Sequence, residues 1–580
     1  MKATWRECLL WPQVSVCVVL AVVAGAMLDN RGYIGLADVL RPLAVIGSTA
    51  LLVTAALMAF APAAGRLFPA ALYALFLYSQ LRDGLAYFDP VYRIALAWWS
   101  MLGIPLAVHL VLRRVDPLRG ARYALVIGVL VAAATCLVTA PSLFHAPPPI
   151  IDEDFARAPA GPVADRKTPL PDIIYVVPDR YPSSETLERE FGVDNAAFYA
   201  ALRRRGFVVE EDARANYPTT FQSLASTLNS GYLDGFSTTY GTGTGDRRPL
   251  YVALEDNAVV RRLLALGYEF HNYGNWWEPT RLNRWADVNY QGYLDEFVAN
   301  WSEVERLLLE RTPALDVASW FSDEHDKTEC HRIRRKFERL AEVGNGPAPV
   351  FVFAHMIVPH QPIAMDASGE CLDEPLVYRH GKTDWRDFKA AFAEYLAYFN
   401  GVILRVIDRQ MERRGDGGRE LLFAIQSDEG PWPASLRRRP GRFGEMTPRD
   451  LRMKMGIVNA LRLPTGMDVS RGAIATPVNN WRTIFNGLSG TGMAMLPHRS
   501  FVYPSPSSIY RFCDVTALVS GGATKGEGIS ATRHRAGNGL REGGDDSAPD
   551  RRALAPPCPI ASPAQARARA SQPAGALARS

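Results

Sequence analysis

Five apolar segments follow one another in the first quarter of the chain, and they constrain its fold more than any other feature. They lie between residues 9 and 144, where Lys and Glu are almost absent. Most of them reach the ~20 residues that a helix needs to cross a ~30 Å hydrocarbon core, and the third, LFPAALYALFLYSQL, is the shortest. A removable signal peptide would explain the first segment and leave the other four unexplained. The sequence therefore predicts an α-helical membrane bundle of about five spans within residues 1–148.

Basic residues near the spans predict how the bundle is oriented. The start, MKATWREC, is basic, and the loop RRVDPLRGAR carries Arg113, Arg114, Arg119 and Arg122 against Asp116. Short loops rich in Lys and Arg remain on the cytoplasmic side of a membrane. If both regions are cytoplasmic, the chain crosses the membrane an odd number of times between its start and residue 150. Five crossings place everything after residue 150 outside the cytoplasm.

The whole chain has 580 residues, which is too long for one compact unit. Its net charge of +4 does not suggest a nucleic-acid partner, and seven cysteines without a CxxC pair give no support for a zinc ribbon. Residues 149–170 are rich in Pro, Ala and charge, which predicts an exposed linker. From residue 516 to residue 580 the apolar periodicity is lost, which predicts a disordered tail.

Residues 171–515 have the pattern of an α/β domain with a mostly parallel central sheet. Apolar strands such as DIIYVV, PVFVFAHM and ELLFAIQ alternate with amphipathic helices. Ligands of such sheets bind beyond the carboxyl ends of the strands. Polar residues that follow these three strands are therefore candidates for a functional site, and they are Asp179, His355, His360, Asp428 and Glu429.

A run of hydroxyl residues, NYPTTFQSLASTLN, stands where a helix begins. Thr220 would lie near the helix N-terminus, where free backbone N–H groups and the helix dipole favour an anion. A hydroxyl at such a position is also an ordinary helix cap. Thr219 is the neighbouring alternative. Taken with the acids and histidines at the strand ends, the run suggests metal-assisted transfer of a phosphate-like group.

Four motifs in this order behind a membrane bundle resemble the sulfatase-like branch of the alkaline phosphatase superfamily. They are PDIIYVVPDRY, NYPTTFQSLASTLN, FAHMIVPHQP and FAIQSDEGP, and the later pieces MKMGIVNALRLP and NNWRTIFNGLSGTG resemble that branch as well. The similarity covers about residues 171 to 510. It is greatest to membrane-anchored lipoteichoic acid synthases and phosphoethanolamine transferases.

The resemblance implies roles for individual residues. Asp179 matches an acidic metal ligand, Asp428 matches the first acid of a second ligand pair, and Thr220 matches a metal-bound nucleophile that becomes covalently modified. His360 matches a histidine that contacts the transferred group or the substrate. His355 is either a second substrate-binding residue or a satisfied buried histidine.

Two positions depart from the family pattern. Glu429 stands where the family has His, and Arg180 stands where it has Gly. We expect Glu429 to act as a metal ligand, and an all-oxygen site would prefer Mn²⁺ or Mg²⁺ to Zn²⁺. Arg180 is expected either to hold a phosphate in a bidentate manner or to pair with a nearby acid.

The expected function is a membrane-bound transferase or hydrolase of phosphate or sulfate esters, which uses one divalent metal and a covalent Thr intermediate. The resemblance implies an inner-membrane protein of bacteria with a periplasmic C-terminal domain, acting on lipid-linked or envelope glycan substrates among membrane lipids. The alternative is a catalytically degenerate envelope scaffold or binding protein. The sequence does not indicate the oligomeric state.

Three further features leave alternatives open. The loop GTGTGDRR, from Gly241, follows no strand and lacks the Lys-Ser/Thr ending of a phosphate loop, which predicts a flexible loop. Trp277 and its neighbouring tryptophans face either a substrate or the core. Cys330 and Cys371 are candidates for a disulfide, since both lie in the part expected outside the cytoplasm.

Overall fold

The structure of the chain is a computed structural model. It describes residues 3–29, 36–84, 90–112, 114–139, 148–157, 169–292, 305, 308–309, 311–314, 328–378, 383–415, 418–433, 436, 441–470 and 472–520.

The N-terminal part is helical, as the apolar segments predicted. Its helices are α1 (Trp5–Asp29), α2 (Leu36–Phe60), α3 (Pro62–Phe76), α4 (Tyr78–Gly84), α5 (Pro90–Leu112) and α6 (Pro117–Thr139). Within α1 and α2, the stretches Trp5–Ala26 and Val39–Phe60 are long and apolar enough to cross a membrane, and Leu96–Val108 is a shorter apolar stretch. The membrane bundle is therefore confirmed, while the number of five spans stays a prediction.

Helices α1 and α6 run in the same direction. Near the start of both helices, Trp11 and Ala121 lie in one apolar cluster. Farther along both helices, Gly128 lies so close to Cys17 that a β-carbon at Gly128 would stand 2.8 Å from the Cys17 Cβ. The basic start of the chain and the basic loop before α6 are thus at one end of the bundle, and the end of α6 is at the other.

A segment from the second half of the chain contacts the end of the bundle where α1 finishes. Glu305 Oε1 accepts a hydrogen bond from Arg41 Nε at 2.7 Å, near the start of α2. Leu308 is buried in an apolar cluster with Val22 and Val23, near the end of α1. Glu305 and Leu308 therefore lie at the end of the bundle opposite the basic loops.

The second part of the chain alternates helices and strands. Its helices are α7 (Glu153–Arg157), α8 (Ser184–Thr186), α9 (Ala196–Arg204), α10 (Thr220–Leu228), α11 (Asp234–Tyr240), α12 (Arg248–Glu255), α13 (Ala258–Ala265), α14 (Glu278–Arg281), α15 (Thr328–Glu342), α16 (Trp385–Arg414), α17 (Pro448–Met455), α18 (Asn480–Ser489) and α19 (Thr516–Val519), with a π-helical turn at Leu187–Phe191 and 3₁₀ turns at Phe443–Glu445 and Pro477–Asn479.

The strands are β1 (Asp172–Pro178), β2 (Phe207–Arg214), β3 (Glu269–Tyr273), β4 (Val288–Tyr290), β5 (Val350–Met356), β6 (Ile363–Met365), β7 (Cys371–Leu376), β8 (Leu421–Gln426), β9 (Gly456–Arg462), β10 (Phe501–Val502) and β11 (Cys513–Asp514). In the described part of the chain, seven of them form one sheet in the order β2-β9-β8-β1-β5-β3-β4. The pairs β8–β1, β1–β5, β5–β3 and β3–β4 are parallel, and β9 pairs antiparallel with β8 and β2. The predicted α/β domain with a mostly parallel central sheet is confirmed.

Both faces of the sheet are buried, and β1 shows why its sequence is apolar throughout. Ile174 and Val176 point into one core, and Ile173 and Val177 point into the core on the opposite face. A strand covered on both sides needs apolar residues at every position, because successive side chains alternate between the faces.

Helix α16 has the length and hydropathy of a membrane span but belongs to the α/β domain. Its apolar side chains, Phe392 and Ile403 among them, are buried in the same core as β1. On the outer face of α16, Asp408 forms an ion pair with Arg205 at 2.6 Å. One apolar face and one charged face are typical of a helix on the surface of a soluble domain.

The ends of the predicted domain are extended by packed segments. Helix α7 lies in the segment assigned to the linker, yet Phe155 is fully buried, and Asp152 accepts a hydrogen bond from Arg482 at 2.5 Å. Helix α19 lies in the segment assigned to the tail, and its Val519 carbonyl accepts a hydrogen bond from Arg214 at 3.0 Å. The predicted disorder from residue 521 onward falls outside the described residues.

The structure joins Cys330 to Cys371 in a disulfide with an S–S distance of 2.01 Å. The bond links α15 to β7, beside the core that the sheet forms with α16. A disulfide agrees with a domain that lies outside the cytoplasm.

Candidate active site and metal centre

Asp179 comes directly after β1, at the carboxyl end of the sheet. Its backbone N–H donates to the Met356 carbonyl at 2.9 Å, which holds it beside the end of β5. Arg180 follows with a φ of 61°, in the left-handed region, and its backbone N–H donates to Asp428 Oδ1 at 3.2 Å. This turn therefore connects the end of β1 with the end of β8.

His355 lies near the end of β5 and is 1% exposed. Its Nδ1 is 2.9 Å from the Thr280 hydroxyl and 3.0 Å from Asn275 Nδ2. The Asn275 amide is itself held, because its Oδ1 accepts the Trp277 N–H at 2.7 Å. His355 Nε2 is directed toward the strand ends and lies 3.7 Å from Asp179 Oδ2. When Nδ1 donates to the hydroxyl, Nε2 has a lone pair for a cation.

Asp179, His355 and Asp428 form a cluster that fits a divalent cation. One ligand atom from each residue lies within 4.8 Å of the others, and all three side chains are buried. Asp179 Oδ1, His355 Nε2 and Asp428 Oδ2 have no hydrogen-bond partner among the described residues. Buried polar atoms without partners are costly to leave unsatisfied, and a metal ion would satisfy all three.

Burial also changes the protonation of this cluster. Loss of solvation raises the pKa of Asp179 to about 7, with the nearby Arg180 opposing the shift. The pKa of Asp428 rises to about 7 through burial and the charges of Asp179 and Glu429, while hydrogen bonding by the Thr220 side chain opposes the rise. Burial lowers the pKa of His355 to about 4. Each group therefore favours its neutral form, and a bound cation would favour the ionised carboxylates.

Thr220 is the first residue of α10, and its side chain lies close enough to Asp428 to oppose the rise in the pKa of that carboxyl. The adjacent Thr219 is directed elsewhere, since its hydroxyl donates to Gln222 Oε1 at 3.0 Å. Of the two threonines, Thr220 is therefore the one whose side chain lies beside the candidate cation cluster. Asp179 follows β1, Asp428 follows β8, and Thr220 is the first residue of α10.

Glu429 was expected to be a metal ligand, and that expectation stays a prediction, because its two carboxylate oxygens differ. Glu429 Oε2 is buried without a hydrogen-bond partner among the described residues. Glu429 Oε1 accepts hydrogen bonds from Lys454 Nζ at 2.8 Å and from Arg180 Nε at 2.9 Å. Lys454 is fully buried and also donates to the Gly430 carbonyl at 2.9 Å. Sequence reasoning missed Lys454, although a single Lys inside the apolar run MKMGIV was a signal for a buried, paired cation.

His360 lies farther from the cluster. Its Nδ1 contacts the carbonyl oxygen of Gln361, and burial lowers its pKa well below the usual value. It lines a cavity of about 320 Å³ together with Arg180 and several aromatic side chains. His360 is therefore close to the site without being grouped with its candidate metal ligands.

Two cavities meet at Arg180 and Trp432. The first, of about 430 Å³, contains Thr220 and is lined by Arg180, Thr219, Thr220, Phe221, Arg247, Trp277, Glu429, Trp432, Gly441, Tyr503 and Pro506. The second, of about 320 Å³, is lined by Arg180, Phe191, Pro359, His360, Gln361, Tyr378, Phe388, Phe392, Pro431, Trp432 and Leu436. The guanidinium of Arg180 lies 5.5 Å from the Trp432 ring, and the two side chains form a shared wall.

No protein-family profile and no curated protein matches the chain. Among solved structures, the C-terminal periplasmic domain of EptC from Escherichia coli, in complex with Zn, is 11% identical, with a TM-score of 0.39; the alignment covers 64% of this chain and 96% of that one. The integral membrane protein lipooligosaccharide phosphoethanolamine transferase A from Neisseria meningitidis is 12% identical with a TM-score of 0.32, covering 84% of this chain and 96% of that one. A 2-O GAG sulfatase is 12% identical with a TM-score of 0.33, covering 56% and 72%.

The described residues form a mostly parallel α/β domain behind a helical membrane part. The matched structures are described as phosphoethanolamine transferases and a sulfatase, and the family of this chain stays an expectation from its motifs. At such identities no residue role or substrate is taken from them.

Proposed function

We propose that the chain is a membrane-bound, metal-dependent transferase of phosphate or sulfate esters that works through an ester of Thr220. The observation that carries this proposal is the position of Thr220 close to Asp428, next to the buried cluster of Asp179, His355 and Asp428. In that cluster Asp179 Oδ1, His355 Nε2 and Asp428 Oδ2 have no hydrogen-bond partner among the described residues. A hydroxyl beside such a cluster is positioned for nucleophilic catalysis.

Asp179, His355 and Asp428 would hold the cation, which would supply positive charge to the nucleophile and to the transferred group. Arg180 then contributes a second positive charge on the side facing both cavities, and Glu429, which also pairs with Lys454, keeps its guanidinium in place. Charge that develops on the transferred group is stabilised best by such fixed donors, because they need no reorganisation during the reaction.

The reaction has two balanced steps. In the first, Thr220 Oγ forms a bond to phosphorus or sulfur, the bond to the leaving oxygen breaks, and the hydroxyl proton passes to that oxygen. In the second, an acceptor oxygen forms the new ester bond, the bond to Thr220 Oγ breaks, and the acceptor's proton returns to Thr220.

The second cavity supports a transferase over a hydrolase. Water as the acceptor needs no cavity of its own, whereas an organic acceptor needs a binding site beside the covalent intermediate. Phe191, Phe388 and Phe392 provide apolar surface there, and His360 provides a polar group near Arg180. We propose that this cavity binds the acceptor, a lipid-linked or envelope glycan, on the periplasmic side of a bacterial inner membrane.

The metal that we propose is Zn²⁺. The expectation of Mn²⁺ or Mg²⁺ depended on Glu429 as an oxygen ligand, and Glu429 Oε1 is engaged by Lys454 and Arg180. His355 adds a nitrogen donor, which Mg²⁺ disfavours and Zn²⁺ accepts readily. The same position of Glu429 weakens the case for an inactive scaffold, because the departure from the family motif leaves three other donors in the cluster.

Replacement of Thr220 tests the proposal. Thr220→Ala should reduce turnover of p-nitrophenyl phosphate and p-nitrophenyl sulfate at least a thousandfold, about the loss expected when a nucleophile is removed. Its unfolding free energy should change by only about 1 kcal/mol. Thr219→Ala is the matched control, because its hydroxyl bonds to Gln222 rather than to the cluster. Full activity in Thr220→Ala, or loss in Thr219→Ala alone, would contradict this assignment.

A further inference from the structure

One surface of the α/β domain collects exposed apolar side chains. Ile150, Val252 and Trp285 are 55%, 42% and 41% exposed. Ile150 and Val252 line one cavity of about 460 Å³ together with Arg261, whose guanidinium lies 5.9 Å from the centre of the Trp285 ring. We call this region, from Ile150 to Val252 and Trp285, the entry surface. The other large apolar side chains that the described part of the domain exposes are scattered, and they are Val208, Met411 and Met495.

Arginines surround the exposed tryptophan of the entry surface. Arg261 and Arg284 lie 5.9 Å and 5.4 Å from the Trp285 ring, and both pair with Asp256. Their side chains are 61% and 56% exposed, whereas that of Asp256 is 17% exposed, so the outermost charges here are positive. An amphipathic Trp ring is favoured at the headgroup level of a membrane, and a guanidinium binds phosphate through paired hydrogen bonds.

Carboxylates limit the overall charge of the entry surface. Glu153 pairs with Arg157 at 3.3 Å, and Asp154 is exposed beside them. Asp152, which lines the cavity, is bonded to Arg482 at 2.5 Å. Attraction to a membrane would therefore come from the apolar side chains and from single arginine–phosphate contacts, rather than from net charge.

The chain enters the α/β domain at this surface. Helix α6 ends at Thr139, and Pro148 lines the same cavity as Ile150. Residues 140–147 connect the two, and steps of at most about 3.6 Å per residue keep Pro148 within about 32 Å of the end of α6. The entry surface is therefore held near the end of the membrane bundle from which the chain emerges.

A second part of the chain leads from the entry surface back to the bundle. Trp285 lies just before β4, and the chain after β4 continues to Glu305. Glu305 contacts Arg41 at 2.7 Å, at the same end of the bundle as the end of α6. Two connections thus keep this surface, rather than the opposite side of the domain, close to the membrane.

We propose that the entry surface docks on the phospholipid headgroup layer of the membrane that the chain itself spans. Trp285, Val252 and Ile150 enter the headgroup region, and Arg261 and Arg284 contact lipid phosphates. The sequence left open whether the tryptophans of this region face a substrate or the core, and Trp285 would face neither. This docking does not depend on the reaction proposed for the domain.

Docking would hold the Thr220 cavity near the headgroups. Val252 is on α12, and Arg247, just before that helix, lines the Thr220 cavity. Five residues of helix correspond to about 8 Å. The loop before α12 was predicted to be flexible, but the two oxygens of Asp246 bind Arg248 at 2.8 Å and 2.6 Å. One short, anchored helix therefore sets the distance between the entry surface and the rim of the cavity.

Quenching of a fluorophore by a lipid-borne nitroxide tests the proposal. The full chain is reconstituted in phosphatidylcholine vesicles in which a fraction of the lipid carries the nitroxide on its headgroup. A membrane-impermeant maleimide attaches the fluorophore to Glu153→Cys, at the rim of the entry surface, and the signal of the chain without an added cysteine is subtracted. Val208→Cys is the matched control, because Val208 is exposed on β2, and β2 and β4 are the two edges of the seven-stranded sheet. Six strand spacings of about 4.8 Å separate these edges.

We expect the nitroxide to quench the label at Glu153→Cys and to leave the label at Val208→Cys bright. Trp285→Ser or Val252→Asp should lower the ratio of quenched to unquenched label at the first position at least about tenfold, because withdrawal of one large apolar side chain from water shifts an equilibrium by a decade or more. Met411→Ser is the matched substitution, since Met411 is 37% exposed on α16, and it should change nothing. Thermal unfolding confirms that each variant is folded.

The outcomes decide between docking and mere proximity. Quenching at Glu153→Cys that persists in both Trp285→Ser and Val252→Asp would overturn the proposal, because the short connection to α6 alone would then keep the segment near the membrane. Equal quenching of the two labels would overturn it as well. Quenching of neither label would exclude lipid as the occupant, and shielding of the first label from iodide would then point to a second copy of the chain. Loss of quenching in the two variants, with Met411→Ser unchanged, would support docking.

Discussion

Glu429 shows how the contacts of one residue can differ from those that its motif suggests. It follows Asp428 directly, yet its Oε1 lies between two cations and its neighbour's carboxylate joins the metal-binding cluster. Successive residues after a strand can point to different sides of a turn, and here the Lys454 ammonium is on the side of Glu429. The Glu429–Lys454 pair is therefore a structural ion pair next to the site.

This arrangement predicts that Glu429 contributes mainly to stability. Glu429→Gln should leave the affinity for Zn²⁺ within about threefold of wild type, because Asp179, His355 and Asp428 remain. It should lower the free energy of unfolding by about 3 kcal/mol, because Lys454 is fully buried and would lose its counter-charge. Calorimetric metal titration and thermal unfolding in detergent measure the two effects.

The double variant Glu429→Gln with Lys454→Met is the matched control. Removal of both charges leaves no unpaired ion, so most of the lost stability should return. A large fall in metal affinity for Glu429→Gln, without loss of stability, would instead make Glu429 a ligand.

The pKa values of the cluster predict how metal binding depends on pH. In the metal-free protein the pKa of Asp179 and of Asp428 is raised to about 7, whereas that of His355 is lowered to about 4. Between these values the carboxyls hold protons and the imidazole is already neutral. A cation must therefore displace protons from the carboxyls below about pH 7, and none above it.

Zn²⁺ binding at pH 6 should accordingly release at least one proton and gain affinity as the pH rises to about 7. At pH 8 the proton release should be near zero, and the affinity should be constant. Calorimetry in buffers with different ionisation enthalpies measures the number of protons. Asp428→Asn, which cannot hold such a proton, should show a smaller release at pH 6. Equal release at pH 6 and pH 8 would contradict the raised pKa values.

At the scale of elements, simple periodicity in the sequence predicted the strands, whereas their arrangement depends on distant contacts. The strands around Asp179, His355 and Asp428 could be predicted because an uninterrupted apolar run of this length fits a strand buried on both faces. The order of those strands in the sheet depends on crossovers that no local pattern encodes. The grouping of His355 with the two acids results from that order, so the local sequence around His355 could not assign its role.

Helix α7 is an element that composition misjudged. Residues 149–170 have the composition of a linker, but Phe155 within them is fully buried. Its ring packs edge-to-face on Phe485 at 5.6 Å, and its carbonyl accepts a hydrogen bond from Arg262 at 2.8 Å. One aromatic residue in a polar segment was the available signal. The helix fixes the point at which the chain enters the α/β domain.

We expect Phe155→Ala to destabilise the α/β domain by about 3 kcal/mol, because it removes a buried aromatic ring and leaves a cavity. Ile150→Ala, in the same segment, should have little effect, because Ile150 is 55% exposed. Thermal unfolding of the two variants beside wild type makes the comparison. Equal destabilisation would show that the whole segment, rather than the buried ring, carries the stability.

At the scale of the whole molecule, the direction of the helices agrees with the distribution of charge. The parallel course of α1 and α6 places the basic ends of both helices together, while Glu305, from the second half of the chain, contacts Arg41 at the other end. Two independent properties, side-chain packing and loop charge, thus give the same orientation. The number of crossings could be predicted only from the lengths of the apolar segments.

This orientation predicts that an alkaline phosphatase reporter fused after residue 150 is active, since that enzyme folds only after export. A fluorescent protein fused there should be dark when exported through the general secretory route. Fusions at Asp116, in the basic loop, provide the matched control and should behave in the opposite way. Bright fluorescence after residue 150 would place the α/β domain in the cytoplasm and contradict the topology.

The order of the strands has a consequence for how the protein matures. The three donor residues come from β1, β5 and β8, which are neighbours in the sheet but are separated along the chain by more than two hundred residues in total. A chain that is still crossing the membrane has not yet added β8 and cannot hold the cation with all three donors. In the proposed enzyme, a cation held by all three residues would therefore be bound only after almost the whole chain has been exported, from the supply outside the cytoplasm.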